Sequence, residues 1–416
     1  MSANSAPTAL TSRANWRRLA LAIGPGVVVM LADTDAGSVI TAAQSGAQWG
    51  YRLVLPQLIA IPILYAMQEL TIRLGVSSGL GFAELIRRRF GRVATWAALG
   101  ALIVSCFGAL VTQLSALAGL AVSFGLAPHL VVGVTLVFFI GVVTLGAYAS
   151  VERVAILAGL FELAFLVVAW RAGPNLHALS SEIREAPFGD RGYLYLLAAN
   201  IGTTFMPWAV FYQQSAMIDK KLDSAHLTGA RLETLAGAIL CQIVTAAIVI
   251  AAAATVRSGD VTGFQSVGDI AQTFTHTLGP WIGRGVFTLG LVGSALVAAI
   301  VVTLTVAWSV GEALGVKHSL EHHPREAPWF YVAFIVLLNA GGLFVLTGVD
   351  PLKLSIAVGV VNAVLLPVVL GLVYLLAITE LRGALALSRA YQVALGAVFA
   401  AVSVIALYSG LEGALG

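Results

Sequence analysis

The sequence predicts an all-α, polytopic membrane protein with about eleven transmembrane helices. Hydrophobic residues make up 59% of the 416 positions and charged residues only 10%. Soluble domains carry roughly 25% charged residues, because their surfaces face water. Long apolar runs follow one another along the chain, and polar, helix-breaking residues interrupt two of them.

The apolar runs define the predicted spans, since a helix needs about 20 apolar residues to cross a bilayer. They cover 19–47, 51–74, 93–124, 129–147, 153–171, 192–218, 228–255, 281–313, 329–347, 353–377 and 388–410. A cytoplasmic segment at 1–18, without a cleavable signal pattern, precedes a single transporter domain at 19–410. Within that domain, we expect a first repeat over 19–171, a second over 192–377 and one extra helix at 388–410.

The distribution of Lys and Arg predicts the orientation in the membrane. If the N-terminus is cytoplasmic, most of these residues fall in cytoplasmic segments, including Arg87, Arg88, Arg89 and Arg92 between the second and third spans. Cytoplasmic loops are enriched in such residues. We therefore expect a multi-pass cell-membrane protein with its N-terminus inside and its C-terminus outside. Short loops favour a bacterial inner membrane.

Charge and cysteine content limit the expected partners. A net charge of +3 is too small to indicate nucleic-acid binding. The expected partner is the lipid bilayer, and we expect the protein to function as a monomer. Cys106 and Cys241 each lie inside an apolar run, where they are interpreted as small buried hydrophobes. They predict no disulfide framework.

The first interruption is the segment Ala-Asp-Thr-Asp-Ala-Gly-Ser at 32–38. A carboxylate in mid-membrane costs at least about 2.5 kcal/mol, so such residues normally face a cavity. Gly37 can relax the backbone here, and unwinding would free carbonyl oxygens that coordinate cations. The alternative is a structural kink in which Asp33 and Asp35 pair with a distant Arg.

The second interruption is the segment Gly-Thr-Thr-Phe-Met-Pro-Trp at 202–208. Pro207 removes a backbone donor and clashes with the preceding turn, which predicts a bend or break near Thr203. Freed carbonyls at membrane depth are tolerated where they line a cavity or bind a ligand. A proline kink without a function is the alternative.

The two interruptions fall in the first and sixth spans, which predicts an inverted-repeat, leucine-transporter-like fold with a site at mid-membrane. That site would combine Asp35, Asp33, the hydroxyls of Ser38 and Thr203, backbone carbonyls and the Met206 sulfur. Oxygen ligands suit Mg²⁺, Ca²⁺ or Mn²⁺, whereas a thioether suits softer metals. The set therefore favours Mn²⁺ or Fe²⁺ before Mg²⁺.

Residues at both interruptions resemble those of the Nramp (natural resistance-associated macrophage protein) family of divalent metal transporters. Residues 35–38, Asp-Ala-Gly-Ser, stand where that family has Asp-Pro-Gly-Asn, and residues 201–207 are similar to its sixth-helix motif, which ends Met-Pro-His. Segments 44–51 and 67–75 also resemble the family. The resemblance implies that Asp35, Ser38, Met206 and Thr203 coordinate the metal, Thr203 in the place of an alanine that uses its carbonyl.

The sequence departs from the family along its proton route. Trp208 and Gln213 replace two family histidines, and Ala109 and Thr112 replace a pair of acids in the third helix. None of these four side chains titrates near neutral pH. The chain resembles a divergent, Nramp-related branch that includes magnesium transporters. We therefore expect weak or absent proton coupling, with Trp208, Gln213 and Thr112 as gating or coupling positions.

Three polar residues have open interpretations. Asp33 could help to hold a partly hydrated ion such as Mg²⁺, or it could pair with another polar group. Glu162, in mid-span, could be a substitute proton carrier or a gate, or it could make a structural hydrogen bond. Asn362 could line the cavity or form an interhelical hydrogen bond.

The function predicted from these residues is secondary transport of a divalent metal ion by alternating access. The metal is substrate, and neither a cofactor nor an enzymatic activity is expected. The rival is an ion-coupled symporter of a small organic solute, such as an amino acid, on the same fold, with Trp208 stacked on the solute. A membrane-embedded enzyme is disfavoured, because the sequence has no HExxH motif and no nucleophile–base pair.

Overall fold

The computed structural model describes residues 24–145, 160–257, 264–320 and 322–415, which form helices and connecting turns without a strand. The helices are α1 (Pro25–Asp33), α2 (Ala36–Trp49), α3 (Val54–Ser78), α4 (Phe82–Ser123), α5 (Pro128–Leu145), α6 (Ala164–Arg171), α7 (Leu176–Glu182), α8 (Arg191–Thr204), α9 (Pro207–Asp219), α10 (Leu227–Arg257), α11 (Val267–Leu278), α12 (Pro280–Leu314), α13 (Pro328–Val345), α14 (Pro351–Glu380) and α15 (Arg389–Ala414). Short 3₁₀ turns lie at Leu160–Leu163, Ser224–His226 and Gly383–Leu385.

Ten membrane-length segments lie in the described part of the chain. Nine are long and apolar enough individually, counting α8 and α9 as one, and the tenth is the pair α1 and α2, bent by 44°. They confirm the prediction of an all-α polytopic membrane protein. The predicted N-terminal segment 1–18 and residues 153–159 of the predicted fifth span lie outside the described residues.

The helix α4 begins eleven residues, about three turns, before the predicted span, at Phe82 rather than near residue 93. Its first part is rich in Arg and carries Glu84 in the first turn, so it is polar but still has good helix-forming residues. Gly91, with a φ of 82°, separates this part from the apolar span. Hydropathy alone does not detect such a helix.

Two short helices lie between spans, where the pattern of the sequence predicts loops. Asn175 caps α7 by accepting a hydrogen bond from the Ala178 N–H. Ser266 caps α11 and exchanges hydrogen bonds with Asp269 in a capping box. Both helices begin at residue types that favour the N-cap position.

The broken helices lie in the protein interior. Residues 36–46 of α2 are all buried, as are 207–217 of α9, whereas most residues of α5 and α15 are at least partly exposed. Exposed side chains on those outer helices, such as Val134 and Val137, face a medium as apolar as the core. The membrane-facing helices thus enclose the two interruptions.

Glycines allow the broken helices to approach their neighbours closely. A Cβ atom added at Gly202 of α8 would overlap the carbonyl oxygen of Gly359 on α14, and one added at Gly46 of α2 would overlap the carbonyl oxygen of Val249 on α10. Small residues play this part in membrane helix packing. The contact between α8 and α14 brings Asn362 next to the second break.

Candidate metal-ion site between the two helix breaks

The first break consists of two non-helical residues. The helix α1 ends at Asp33, Thr34 follows it, and Asp35 is extended, with φ −73° and ψ 174°. Asp35 then caps α2, because its Oδ1 accepts a hydrogen bond from the Ser38 N–H at 2.7 Å. Gly37 is helical. Its lack of a side chain is needed for space, since an added Cβ would lie 3.0 Å from Thr112 Cγ2.

The second break lies two residues beyond the predicted position near Thr203. The helix α8 continues to Thr204, and Phe205 and Met206 connect it to α9. Met206 is extended, with φ −69° and ψ 132°, as expected for a residue that precedes proline. Pro207 occupies the first turn of α9, where a missing N–H costs no hydrogen bond.

The two breaks meet at a small cavity with a volume of about 10 Å³, enough for a single water-sized particle. Its walls include Asp35 from the first break, Thr203 and Met206 from the second, Thr112 from α4 and Asn362 from α14. All five residues are buried, and Asp35 is only 2% exposed. Three of the predicted ligand residues therefore converge on one enclosed position.

Gln113 on α4 fixes the first break and was not singled out from the sequence. Its Nε2 donates a hydrogen bond to Asp35 Oδ2 at 2.6 Å, and its Oε1 accepts one from the Ala36 N–H at 3.0 Å. A carboxylate oxygen has more than one acceptor site, so Asp35 can still coordinate a cation. The only sequence signal for this residue is an amide in the middle of an apolar span.

Ser38 joins α1 to α2 across the first break and does not line the cavity. Its Oγ donates a hydrogen bond to the Asp33 carbonyl oxygen at 2.8 Å and lies 3.4 Å from the Thr203 carbonyl oxygen. A hydroxyl has one proton, so the shorter contact is the hydrogen bond in this arrangement. The Thr203 hydroxyl donates a hydrogen bond to the Asn200 carbonyl at 3.2 Å. We therefore consider the backbone carbonyl of Thr203, rather than its hydroxyl, as the candidate metal ligand.

Trp208 contacts the Met206 sulfur directly. Its Nε1–H donates a hydrogen bond to Sδ of Met206 at 2.9 Å, and the indole is fully buried. A methionine side chain is flexible, with three rotatable bonds. The indole therefore holds the sulfur in one orientation at the edge of the cavity.

Asn362 adds a polar oxygen to the cavity wall. The side chain is 1% exposed, and its Oδ1 has no hydrogen-bond partner among the described residues. Of the two interpretations open at the sequence level, the structure favours the cavity-lining one. A buried, unpaired amide oxygen is costly unless it binds a ligand.

Two of the predicted gating or coupling residues make ordinary hydrogen bonds. Gln213 lies on α9 outside the cavity wall, and its Nε2 donates to Thr234 Oγ1 at 3.0 Å. Its Oε1 lies 3.3 Å from Thr71 Oγ1, whose proton is donated to the Gln68 carbonyl at 2.7 Å. Thr112 lines the cavity, and its hydroxyl donates to the Gly108 carbonyl at 3.0 Å.

Asp33 and Glu162 lie away from the Asp35 cavity. Asp33 Oδ2 accepts a hydrogen bond from Cys241 Sγ at 3.6 Å, on the α10 side of the break. Glu162 lies in the 3₁₀ turn at Leu160–Leu163 and lines a separate cavity of about 380 Å³ with Thr34 and Cys241. The structure does not bring Asp33 together with Asp35, Thr203 and Met206.

The cavity offers one carboxylate and several neutral ligands. In the described part of the chain, no three His, Cys, Asp or Glu side chains cluster as they would in a tight metal centre. One carboxylate oxygen, amide and carbonyl oxygens and a thioether can bind a divalent ion of intermediate softness.

A family model described as natural resistance-associated macrophage protein-like matches residues 26–412. The chain belongs to the Nramp family. The motif resemblance at the two breaks is thereby confirmed, and the Nramp assignment extends over nearly all of the described residues.

Individual relatives and structures are consistent with the Nramp assignment. A divalent metal cation transporter MntH of Acidiphilium cryptum is 28% identical over 403 residues, 91% of this chain and 87% of that protein. Another, of Verminephrobacter eiseniae, is 29% identical over 303 residues, 68% of this chain and 66% of that protein.

The fold is shared with solved transporters. A crystal structure of the Eremococcus coleocola manganese transporter covers 99% of this chain and 88% of its own, with a TM-score of 0.74 and 18% identity. A sodium-coupled sialic acid symporter covers 94% of this chain and 88% of its own, with a TM-score of 0.61 and 16% identity. These likenesses confirm the predicted leucine-transporter-like fold of the Nramp chain.

Proposed function

We propose that this protein is a secondary transporter that moves divalent metal ions across a membrane by alternating access. The observation that carries the proposal is that Asp35, Thr203 and Met206 line one small buried cavity between the two helix breaks. The Nramp family and the relatives named as divalent metal cation transporters support the same class of substrate.

The proposed ligands are Asp35, the Thr203 carbonyl, Met206 and Asn362. Asp35 supplies the negative charge, the carbonyl and amide oxygens replace water, and the sulfur favours Mn²⁺ or Fe²⁺ over Mg²⁺. Ser38 acts by holding α1 and α2 together across the first break. Proton coupling is proposed to be weak or absent, because positions 109, 112, 208 and 213 carry no titratable side chain.

The organic-solute alternative is less well supported. Pockets for small organic ligands have volumes of about 300–1,000 Å³, whereas the cavity at the breaks has about 10 Å³. Trp208, which that alternative assigns to stacking on the solute, is buried and hydrogen-bonded to Met206. A single ion fits this arrangement better.

Metal uptake into proteoliposomes tests the proposal. Mn²⁺ uptake should be inhibited by Fe²⁺ and Cd²⁺ more strongly than by Mg²⁺, at external pH values both above and below neutrality. Asp35→Asn should abolish uptake, because it removes the charge but keeps a capping side chain, and Asp350→Asn, at the N-cap of α14, is the matched control. Normal uptake by Asp35→Asn would reject the site, and saturable uptake of an amino acid without any metal uptake would favour the rival.

A further inference from the structure

A second group of buried oxygen atoms lies behind the first helix break. Asp33 is the last residue of α1, Thr34 follows it, and Glu162 approaches from the 3₁₀ turn. Their exposed fractions are only 1%, 1% and 2%. Thr34 and Glu162 line the cavity of about 380 Å³.

Three buried oxygens of this group make no hydrogen bond of regular geometry. Asp33 Oδ1 has no partner within the described ranges, and Thr34 Oγ1 approaches the Glu162 carboxyl group, whose Oε1 also lacks a regular hydrogen bond. The Cys241 thiol donates to the other carboxylate oxygen of Asp33 and so fixes its orientation. Buried polar atoms without partners lose the free energy of hydration, so a structure retains them where they bind something.

Among the described residues around this cavity there is no Lys or Arg that could neutralise an ionised Glu162. In its ionised form, Glu162 is repelled by Asp33 and Asp35. Glu233, the other acid in that cavity, accepts hydrogen bonds from the backbone N–H groups of Gly24 and Val27 at 3.0 and 2.7 Å. Buried charges are normally paired or bound to a cation.

The amount of charge indicates the kind of cation. Three carboxylates surround the break: Asp33, Asp35 and Glu162. When all three are ionised, a divalent ion at the Asp35 cavity compensates two of the negative charges, and one monovalent cation compensates the third. The C-terminal end of α1 carries a partial negative charge as well, and such half-helix ends coordinate Na⁺ in carriers with broken helices.

We propose that Asp33, Thr34 and Glu162 form a second cation site, which binds a monovalent metal cation of the sodium class. Carboxylate and hydroxyl oxygens are hard ligands that suit such an ion. The inference depends on the proposed function in one respect, because the charge balance assumes a divalent ion at Asp35. A monovalent cation at this second site would serve as the coupling ion of a transporter whose proton-route positions do not titrate.

The chain itself connects the two sites. Thr34 is the only residue between Asp33 and Asp35, so an ion held behind the break restrains the backbone that carries the metal ligand. An ion bound at Glu162 would therefore favour the arrangement in which Asp35 faces the metal cavity. Binding at either site then depends on occupancy of the other, as reciprocal coupling requires.

Thermal unfolding of the purified protein, with divalent metals removed by a chelator, tests the second site. Replacing choline chloride with NaCl at equal ionic strength should raise Tm by about 2 °C. The increment should disappear in Glu162→Gln and in Thr34→Val and persist in Glu326→Gln, an exposed acid on a loop. Thr34→Val supplies a second measurement if Glu162→Gln fails to fold.

Equal Tm values in NaCl and choline chloride would overturn the proposal. So would an unchanged Na⁺ increment in both variants, or a Tm that follows pH and ignores Na⁺, which would assign a proton to the cluster. Because divalent metals are absent, this measurement is independent of metal uptake. If the protein shows the Na⁺-dependent rise in Tm but no metal uptake, only the transport proposal is rejected. If it takes up metal but its Tm does not respond to Na⁺, only the second site is rejected.

Discussion

Asp35 combines two roles that its surroundings make compatible. It caps α2, which is favourable for an anion at a helix N-terminus, and Gln113 holds its other oxygen. Asp35 forms no ion pair with Lys or Arg in the described parts of the chain. Neutral donors therefore orient the carboxylate without cancelling its charge, and the charge remains available to an incoming metal ion.

The Trp208–Met206 hydrogen bond predicts a change in metal preference. Trp208→Phe keeps an aromatic ring but removes the N–H that fixes the sulfur. A hydrogen bond of about 1 kcal/mol corresponds to roughly a fivefold change in relative affinity. The preference for Mn²⁺ over Mg²⁺, measured by competition in uptake, should fall by about that factor, and further in Met206→Ala.

Trp281→Phe, at an exposed position on α12, is the control for the change from indole to phenyl. An unchanged Mn²⁺ to Mg²⁺ ratio in both Trp208→Phe and Met206→Ala would remove the sulfur from the proposed ligand set.

The sequence reveals the breaks but not all of their partners. Asp35 and Pro207 are visible because a carboxylate and a proline each violate the pattern of an apolar helix. Gln113 is 78 residues from Asp35 in the chain, and its contact depends on how α4 packs against α2. Asn362 reaches the cavity through the glycine contact between α8 and α14. An amide within an apolar span marks both residues in the sequence, but the atoms that each contacts are fixed by tertiary packing and leave no local signal.

Among the elements, the turn after α2, the helix α7 and the helix α10 are joined by an ionic cluster on the side predicted to be extracellular. Glu182 at the end of α7 accepts a hydrogen bond from the Tyr51 N–H at 3.1 Å and pairs with Arg257 of α10. Arg52 pairs with Glu185 at 2.6 Å. Partial burial raises the pKa of Glu182, but the Tyr51 N–H and the Arg257 guanidinium outweigh it and lower the pKa below its ordinary value.

The cluster predicts a pH-dependent contribution to stability. A carboxyl group whose pKa is lowered by folding stabilises the protein above its unfolded pKa of about 4.3 and ceases to do so as pH falls through the folded value. Glu182→Gln should therefore lower the free energy of unfolding by about 1 kcal/mol at neutral pH and by progressively less below about pH 4. Tm measured across this pH range checks the prediction.

Glu326→Gln again serves as the control, because it removes an exposed acid outside the cluster. A Tm difference between the protein and Glu182→Gln that stays constant down to acid pH would contradict the assignment of the effect to the Glu182 charge.

The close packing of the helix α8 against the helix α14 predicts the effect of a substitution at Gly202. An Ala side chain at Gly202 would meet the Gly359 carbonyl and would come within 2.6 Å of the Ala363 N, and these backbone atoms cannot rotate away. Gly202→Ala should therefore destabilise the protein by about 1–3 kcal/mol and reduce metal uptake by moving Asn362. Gly371→Ala, on α14 with open space around it, should be neutral or stabilising. Equal Tm values for the two variants would contradict this account.

Across the whole molecule, ionic contacts flank the candidate site on both sides. Opposite the Glu182 cluster, the buried Glu69 holds Arg73 and Arg231, each at 2.6 Å. On the same side, Glu233 of α10 accepts hydrogen bonds from the N-terminal N–H groups of α1. The alternating-access proposal requires these two groups of contacts to open in turn, since the cavity between them is enclosed.

Proton movement is a property of the whole transport cycle. We expect it to be small, because positions 109, 112, 208 and 213 carry no titratable side chain. Mn²⁺ uptake into proteoliposomes that contain a pH-sensitive dye should cause little internal acidification. Trp208→His provides the internal comparison, because an imidazole with an ordinary pKa of about 6.5 would add a titratable group beside Met206. Its uptake should depend on external pH between about 5.5 and 7.5, whereas uptake by the unchanged protein should not. Marked acidification by the unchanged protein would mean that a proton is transferred elsewhere, and Glu162→Gln would then be the variant in which to look for its loss.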